Sequence, residues 1–185
     1  VATLASAGGD AVAVIGYLDQ GGKGIIQGSL DSGAFDTFIL SDGMIGDSLI
    51  EAFGKSLNKS FGSLPGSTGK GAGVFTKVAK AAGIDSSGPY TGESYDAAAL
   101  IVLAMQAGGS ADRGSIAKNV MAVANGPGKK IYPGELKKAL DLLAKGKAVD
   151  YEGATGVVFT KVGEAEGSFL EKEIKYGKFK TKKQR

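Results

Sequence analysis

Apolar residues run unbroken from Val12 to Ile15 and stop at Gly16-Tyr17-Leu18-Asp19-Gln20. A short, continuously apolar and β-rich run predicts a buried parallel strand over residues 11–17. Residues 22–31 follow as a helix with Ile25, Ile26 and Leu30 on one face. The segment FDTFIL, residues 35–40, is a second strand ended by Ser41-Asp42-Gly43. Ile45, Leu49, Ile50, Phe53 and Leu57 recur at helical spacing and predict a helix over 46–58. A third short strand over 60–66 runs into Pro65-Gly66. This β-α-β-α-β rhythm predicts a parallel sheet with right-handed crossovers.

The rhythm then changes. Residues 72–82, 93–107, 113–124 and 134–145 read as helices with almost no strand between them. The second carries Tyr95, Ala98, Ala99, Val102, Leu103 and Met105, and reads as nearly buried. The last has Pro133 near its start and Gly146 beyond its end. Strands return at 156–160 and 168–176, and Gly177-Lys178 turns into a short last strand. Residues 1–9 read as the end of a helix closing at Gly8-Gly9. So apolar a parallel sheet needs helices on both faces and more neighbours at its edges than the chain supplies. The expectation is therefore part of a larger α/β fold, continuing something that precedes Val1.

Composition narrows the chemistry. Glycine is the outlier at 31 residues against an average near 7%, and it falls between the periodic segments as turns. The net charge of +3 is concentrated in the C-terminal segment. Elsewhere Lys and Arg alternate with Asp and Glu, so there is no basic stripe for nucleic acid. With no cysteine and no histidine, disulfide scaffolds, thiol catalysis, the usual zinc sites and histidine-based triads are excluded. No apolar stretch reaches about twenty residues and no secretory leader is present, so the chain as given is expected to be soluble.

The glycine-rich turn after the first strand raises the question of a phosphate loop. A Walker loop needs Gly, four residues, then Gly-Lys-Ser/Thr. Around Lys70 the end positions are Leu64 and Gly71, and around Lys23 they are Tyr17 and Gly24, so both fail. No Gly-x-Gly-x-x-Gly lies at a strand-to-helix junction, and no cofactor is expected. In an open parallel sheet, ligands bind beyond the carboxyl ends of the strands. Those ends carry Tyr17-Leu18-Asp19-Gln20 and Ser41-Asp42-Gly43-Met44. If the strands are neighbours, a ring and a carboxylate share one rim and suit a small cation such as an α-ammonium group. The competing reading is that Asp42 caps its turn and Tyr17 is a half-buried core ring. Asp19 and Asp42 as an acid/base couple lack a nucleophile or metal, so no enzyme is expected.

In order, "GGDAVAVIGYLDQGGKGIIQGSLDSG", "FILSDG", "GPYTGESYDAAALIVLAMQAGGS" and "GATGVVFTKVGEAEG" resemble the C-terminal half of type I periplasmic binding proteins. Within that group they are most similar to the branched-chain amino acid (Leu/Ile/Val) receptors of ABC transporters. The resemblance implies two α/β lobes joined by a three-crossing hinge, with the ligand in the cleft between them. Residues 1–66 would belong to the second lobe, 67–160 would return to the first, and 161–185 would cross back. The family's first half, absent from this chain, supplies hydroxyls and backbone N–H groups for the ligand's carboxylate. The resemblance also implies an acidic residue for the ligand's amino group at Asp42, flanked by Gly43 and Met44. It implies an aromatic at or beside Tyr17, with Tyr17, Leu18 and Asp19 all open and Gln20 next to them. Tyr95 and Asp96 match the family motif and read as structural. Thr160 and Glu164 replace the aspartates of a family turn. The implied partners are an amino-acid-like solute and an ABC permease, and the implied location is the periplasm or cell surface. An amide, urea or aromatic-acid receptor on the same scaffold, a nucleotide- or phosphate-dependent enzyme, and a regulatory module without a ligand site remain the rivals.

Overall fold

The three strands β1 (Val12–Val14), β2 (Phe38–Leu40) and β3 (Phe61–Pro65) pair in parallel, in that order. The computed structural model describes all 185 residues. It divides the chain into two units, Val1–Pro65 with Phe169–Arg185, and Gly66–Ser168.

In the first unit the sheet is extended by β8 (Phe169–Lys175) and β9 (Lys178–Gln184), antiparallel to β3 and to each other. Tyr176 and Gly177 form the two-residue hairpin turn, both at positive φ (55° and 66°), as a type I′ turn requires. Helices α2 (Lys23–Ser32) and α3 (Asp47–Phe53) pack on one face of this sheet. The core there is Val12, Val14, Ile26, Phe38, Leu40, Leu49, Leu57 and Ile174. Buried Ser60 ties two strands of the sheet together: its hydroxyl accepts the Phe38 N–H of β2 at 3.0 Å and its carbonyl accepts the Ile174 N–H of β8 at 3.0 Å. A short opening helix, α1 (Ala2–Ala7), buries no residue.

The first strand is shorter than its apolar run, and its residues alternate between the two faces. Val12 and Val14 are buried, Ala13 is exposed, and Ile15 is 88% exposed. Register explains the pattern: Ala13 pairs with Ile39 and Ile39 with Phe61, so these three form one row on the face away from α2 and α3. That face has no helical cover, and Ile39 and Phe61 stand 42% and 44% exposed. The helix expected over 46–58 stops at Phe53 and continues as a tight 3₁₀ turn, Gly54–Leu57. The last strand is seven residues long rather than short, because its backbone pairs along the whole of β8.

The second unit holds α4 (Lys70–Ala81), α5 (Thr91–Gly108), α6 (Arg113–Ala124) and α7 (Leu136–Leu143). It also holds a parallel pair, β4 (Lys129–Ile131) with β5 (Val149–Tyr151), and a two-residue pair, β6 (Val158–Phe159) with β7 (Ala165–Glu166). Residues 161–168 stay with the second unit, where Ala165–Glu166 folds back on Val158–Phe159. Thr160 keeps that turn despite the missing aspartate: its hydroxyl accepts the Glu164 N–H at 3.2 Å. Helix α5 buries Asp96, Ala99, Leu100, Leu103 and Ala104, a single stripe at helical spacing. Ile101 and Val102 on its other side remain 45% and 43% exposed, so the helix is half covered rather than nearly buried. Ile131, Ala139, Val149 and Tyr151 complete this core.

Phe38 and Ile39 are neighbours in sequence on opposite faces of the sheet. Truncating buried Phe38 to Ala is expected to cost about 3–5 kcal/mol. Ile39→Thr on the bare face should stay within about 0.5 kcal/mol. Urea unfolding of the two variants, followed by circular dichroism, checks the contrast.

Candidate functional site

The parallel register of Val14 with Leu40 brings the chain out of both strands at the same end of the sheet. The Ser41 N–H donates to the Val14 carbonyl at 3.2 Å, carrying the ladder one step further. The Ser41 hydroxyl then straps the two exits, accepting the Gly16 N–H and donating to the Gly16 carbonyl, both at 3.3 Å. Sequence reasoning did not single out this serine; a hydroxyl immediately past a strand end is the signal that marks it.

Beyond the strap the loops interlock through glycines. A side-chain Cβ at Gly43 would sit 2.4 Å from the Gly16 carbonyl oxygen and 2.8 Å from the Tyr17 ring, so backbone fills that space. One at Gly22 would lie 2.2 Å from the Met44 sulfur and 2.7 Å from the Tyr17 carbonyl oxygen. That same carbonyl accepts the N–H groups of Gln20 (3.3 Å) and Gly22 (3.1 Å), winding residues 18–22 into an irregular turn. Gly21 takes φ 101° within it, a conformation natural to glycine.

The residues of interest divide by burial. Tyr17 is 63% exposed with its ring against Gly43, so it is a rim residue rather than a half-buried core ring. Asp42 and Gly43 are half-buried. One Asp42 carboxylate oxygen accepts the Gly43 N–H at 2.7 Å, and its carbonyl accepts the Ile45 N–H at 3.0 Å. Leu18 packs on the core with its methyl group close to Gly46, and Met44 is fully buried. Gln20 is exposed. Asp19 is exposed and ion-paired with Lys23 at 2.7 Å, one helical turn on. The structure therefore joins Tyr17, Asp42 and Gly43 at one rim, with Leu18 and Met44 beneath as anchors.

A second carboxylate invites scrutiny. Asp96, in the second unit, is the buried carboxylate of the chain, 2% exposed. One oxygen accepts the Tyr151 hydroxyl (2.9 Å) and the Ala154 N–H (2.7 Å). The other accepts the Thr155 N–H and hydroxyl, both at 2.8 Å. Four donors occupy both oxygens, so this group clasps α5 to the loop after β5 and has no capacity left for a ligand. Burial, followed by the charge of Asp96 and the hydrogen bond to it, pushes the Tyr151 phenol above its ordinary value. Tyr95, beside Asp96 on α5, packs against Phe75 with ring centroids 5.3 Å apart, and its hydroxyl accepts the Gly134 N–H at 2.9 Å. An apolar groove of about 370 Å³ nearby, lined by Phe75, Ile84, Tyr90 and Tyr95 among others, has no charged residue in its wall. No three Asp or Glu residues converge as a metal cage, and no helix is long and apolar enough to cross a membrane.

In an open α/β sheet the place for a ligand is beyond the carboxyl ends of the strands, which is where these two loops meet. More particularly, the chain has the type I periplasmic-binding-protein fold. It matches a leucine binding protein, LivK, from Thermotoga maritima MSB8 with a TM-score of 0.70 at 19% identity, over 99% of this chain and 46% of that one. A periplasmic binding protein type 1 from Bordetella pertussis Tohama I matches with a TM-score of 0.59 at 18% identity, over 94% of this chain and 46% of that one. The chain thus spans about half the length of the solved proteins it matches. In sequence, 70 residues are 40% identical to the chemotactic signal transduction system substrate-binding protein BasB of Halobacterium salinarum, covering 38% of this chain and 17% of that one. No protein-family profile matches the chain.

Two outcomes follow. Gly43→Ala forces a methyl group onto backbone and ring, and should destabilise the first unit by about 1–3 kcal/mol, read by urea unfolding. Tyr151 has a folded-state pKa raised above its unfolded value near 10. Its contribution is therefore complete below about pH 10 and is lost as pH rises above that value. Tyr151→Phe should cost about 1.5–3 kcal/mol at neutral pH, for a hydrogen bond to a charged group. It should also flatten the alkaline loss of stability by about 1.4 kcal/mol per pH unit, measured by denaturation between pH 8 and about 11.

Proposed function

We propose that this chain is the C-terminal half of an extracytoplasmic solute receptor whose ligand is a small amino-acid-like zwitterion. Asp42 takes the ligand's ammonium group through charge-assisted hydrogen bonds, and the Tyr17 ring covers it with its π-face. Gly43 keeps the two close because it leaves no side chain between them. The observation that carries this reading is the contact of Gly43 with Gly16 and the Tyr17 ring at the shared strand ends. The ligand's carboxylate is held by groups on the other half of the fold, and closure of two lobes around the ligand signals occupancy. The reading contains no catalytic step, no cofactor and no nucleic acid. It favours a cationic head over a neutral amide or urea, since an ammonium adds the attraction of opposite charge to the hydrogen bond with a carboxylate and a neutral N–H does not.

The fold likeness to a protein named as leucine binding supports an amino-acid ligand, and an ABC permease then receives the closed form. The local identity to a chemotactic substrate-binding protein supports a second reading of the last step only, in which a signal transducer receives the closed form instead. Both share the rim at Asp42.

Calorimetry on the two-lobed protein tests the shared part. Asp42→Ala is expected to weaken binding of a branched-chain amino acid by about 2–5 kcal/mol, the cost of removing one partner from a desolvated charge pair. Unchanged affinity would remove Asp42 from the role, and tighter binding of a neutral amide by the wild type would favour the amide receptor.

A further inference from the structure

The first unit carries a feature that the solute rim does not use. At the tip of the β8–β9 hairpin, Tyr176 is 76% exposed. The tip is pinned: the Gly177 N–H donates to Asn58 Oδ1 at 2.9 Å, and Gly177 abuts the backbone of Gly54 and Lys55. Lys55 is thereby brought to a tip that already carries Lys175 and Lys178 as its flanking pair. Lys180 lies with its Nζ 5.1 Å from the Tyr176 ring centroid. The carboxylates nearby are engaged elsewhere. Glu173 pairs with Lys175 at 3.0 Å, and Glu171 with Lys182 and Arg185. Glu51, one turn before Lys55, makes no ion pair with it, so Lys55, Lys178 and Lys180 keep their charge uncompensated by any carboxylate. Residues 172–185 hold seven Lys or Arg against Glu173 alone, while the whole chain carries +3, so the rest of the chain is net negative.

We propose that this hairpin tip is a docking element for an anionic phospholipid surface. Within the first unit the charge distribution presents the tip to a negative plane. An exposed tyrosine among lysines supplies what a headgroup layer accommodates: an aromatic body with a polar end, and flexible stems that keep their ammonium groups at the phosphates. Because the tip is already held by Asn58 and by the 3₁₀ turn after α3, docking requires little ordering of the hairpin. The inference is independent of the solute rim and stands or falls without it.

Co-sedimentation of the 185-residue chain with phosphatidylglycerol vesicles, against phosphatidylcholine vesicles and duplex DNA, tests it. Binding to phosphatidylglycerol is expected at low salt, weakening as ionic strength rises, with little binding to phosphatidylcholine. Lys178→Gln with Lys180→Gln should weaken it about 25-fold, at about 1 kcal/mol per lysine. Tyr176→Asn, chosen because asparagine tolerates the positive φ, should weaken vesicle binding while leaving any residual DNA binding unchanged. Circular dichroism confirms that both variants fold. No binding to phosphatidylglycerol at low salt, undiminished binding in either variant, or DNA binding as strong as vesicle binding and equally insensitive to Tyr176 would overturn the proposal.

Discussion

The parallel pairing of β1 with β2 is the constraint on which the site depends. Parallel neighbours leave the sheet at the same end, whereas an antiparallel pair would send residues 16 and 42 to opposite ends. Pairing alone leaves room for side chains between the exits. The glycines at 22 and 43 remove that room, so the two loops touch backbone to backbone and ring to backbone. Ser41 then fixes the approach with two hydrogen bonds to Gly16. Strand register, a missing Cβ and one hydroxyl together convert a sheet edge into a rim that joins a tyrosine and an aspartate.

The two aspartates of the resemblance motifs sit in different environments. Asp96 is wholly buried, and its penalty for burial is offset by four donors, two of them backbone N–H groups that would otherwise be orphaned. A group so completely satisfied holds elements together and does nothing else. Asp42 sits half-buried just past the end of a strand, on the 3₁₀ turn Asp42–Met44. Both lie within motifs of the resemblance, one closed off in the core of the second unit and the other at the strand ends of the first.

What the sequence made legible follows from the kind of signal each element emits. Parallel strands announce themselves as apolar runs, so β1, β2 and β3 and their parallel sense were readable, as were α4, α5 and α6 from their spacing; that β1 and β2 are neighbours was not. β4 was not, because Lys-Lys-Ile is three residues long and mostly exposed, and its strand character comes from β5 across 20 residues of chain. Ile15 and Ile39 look like core residues from composition alone, yet register puts Ile39 on the bare face with Ala13, and burial of a strand residue is decided by face and not by hydropathy. Within the site, Tyr17 and Asp42 were legible as polar residues at strand ends. The parts played by Ser41, Gly22 and Gly43 were not, since a close approach is a property of two segments and neither segment encodes it by itself.

The outer end of the sheet raises a final physical question: whether protection of a free edge accounts for the basic β9. Lysines on an edge strand discourage pairing with other chains, and that accounts for the cations of β9 and for the ion pairs that Glu171 makes with Lys182 and Arg185. It does not account for Tyr176. An aromatic ring left 76% exposed at a tip adds an apolar surface where edge protection favours removing one. Nor does it account for Lys55, which comes from a different element and guards no edge. A type I′ turn is satisfied by Asn-Gly as readily as by Tyr-Gly, so the turn does not demand the ring either. The lysines alone are explained by solubility; an exposed tyrosine beside Lys180, at a tip shared with Lys55 and Lys178 and pinned through Gly177 to Asn58, is what the proposed anionic, partly apolar surface accounts for.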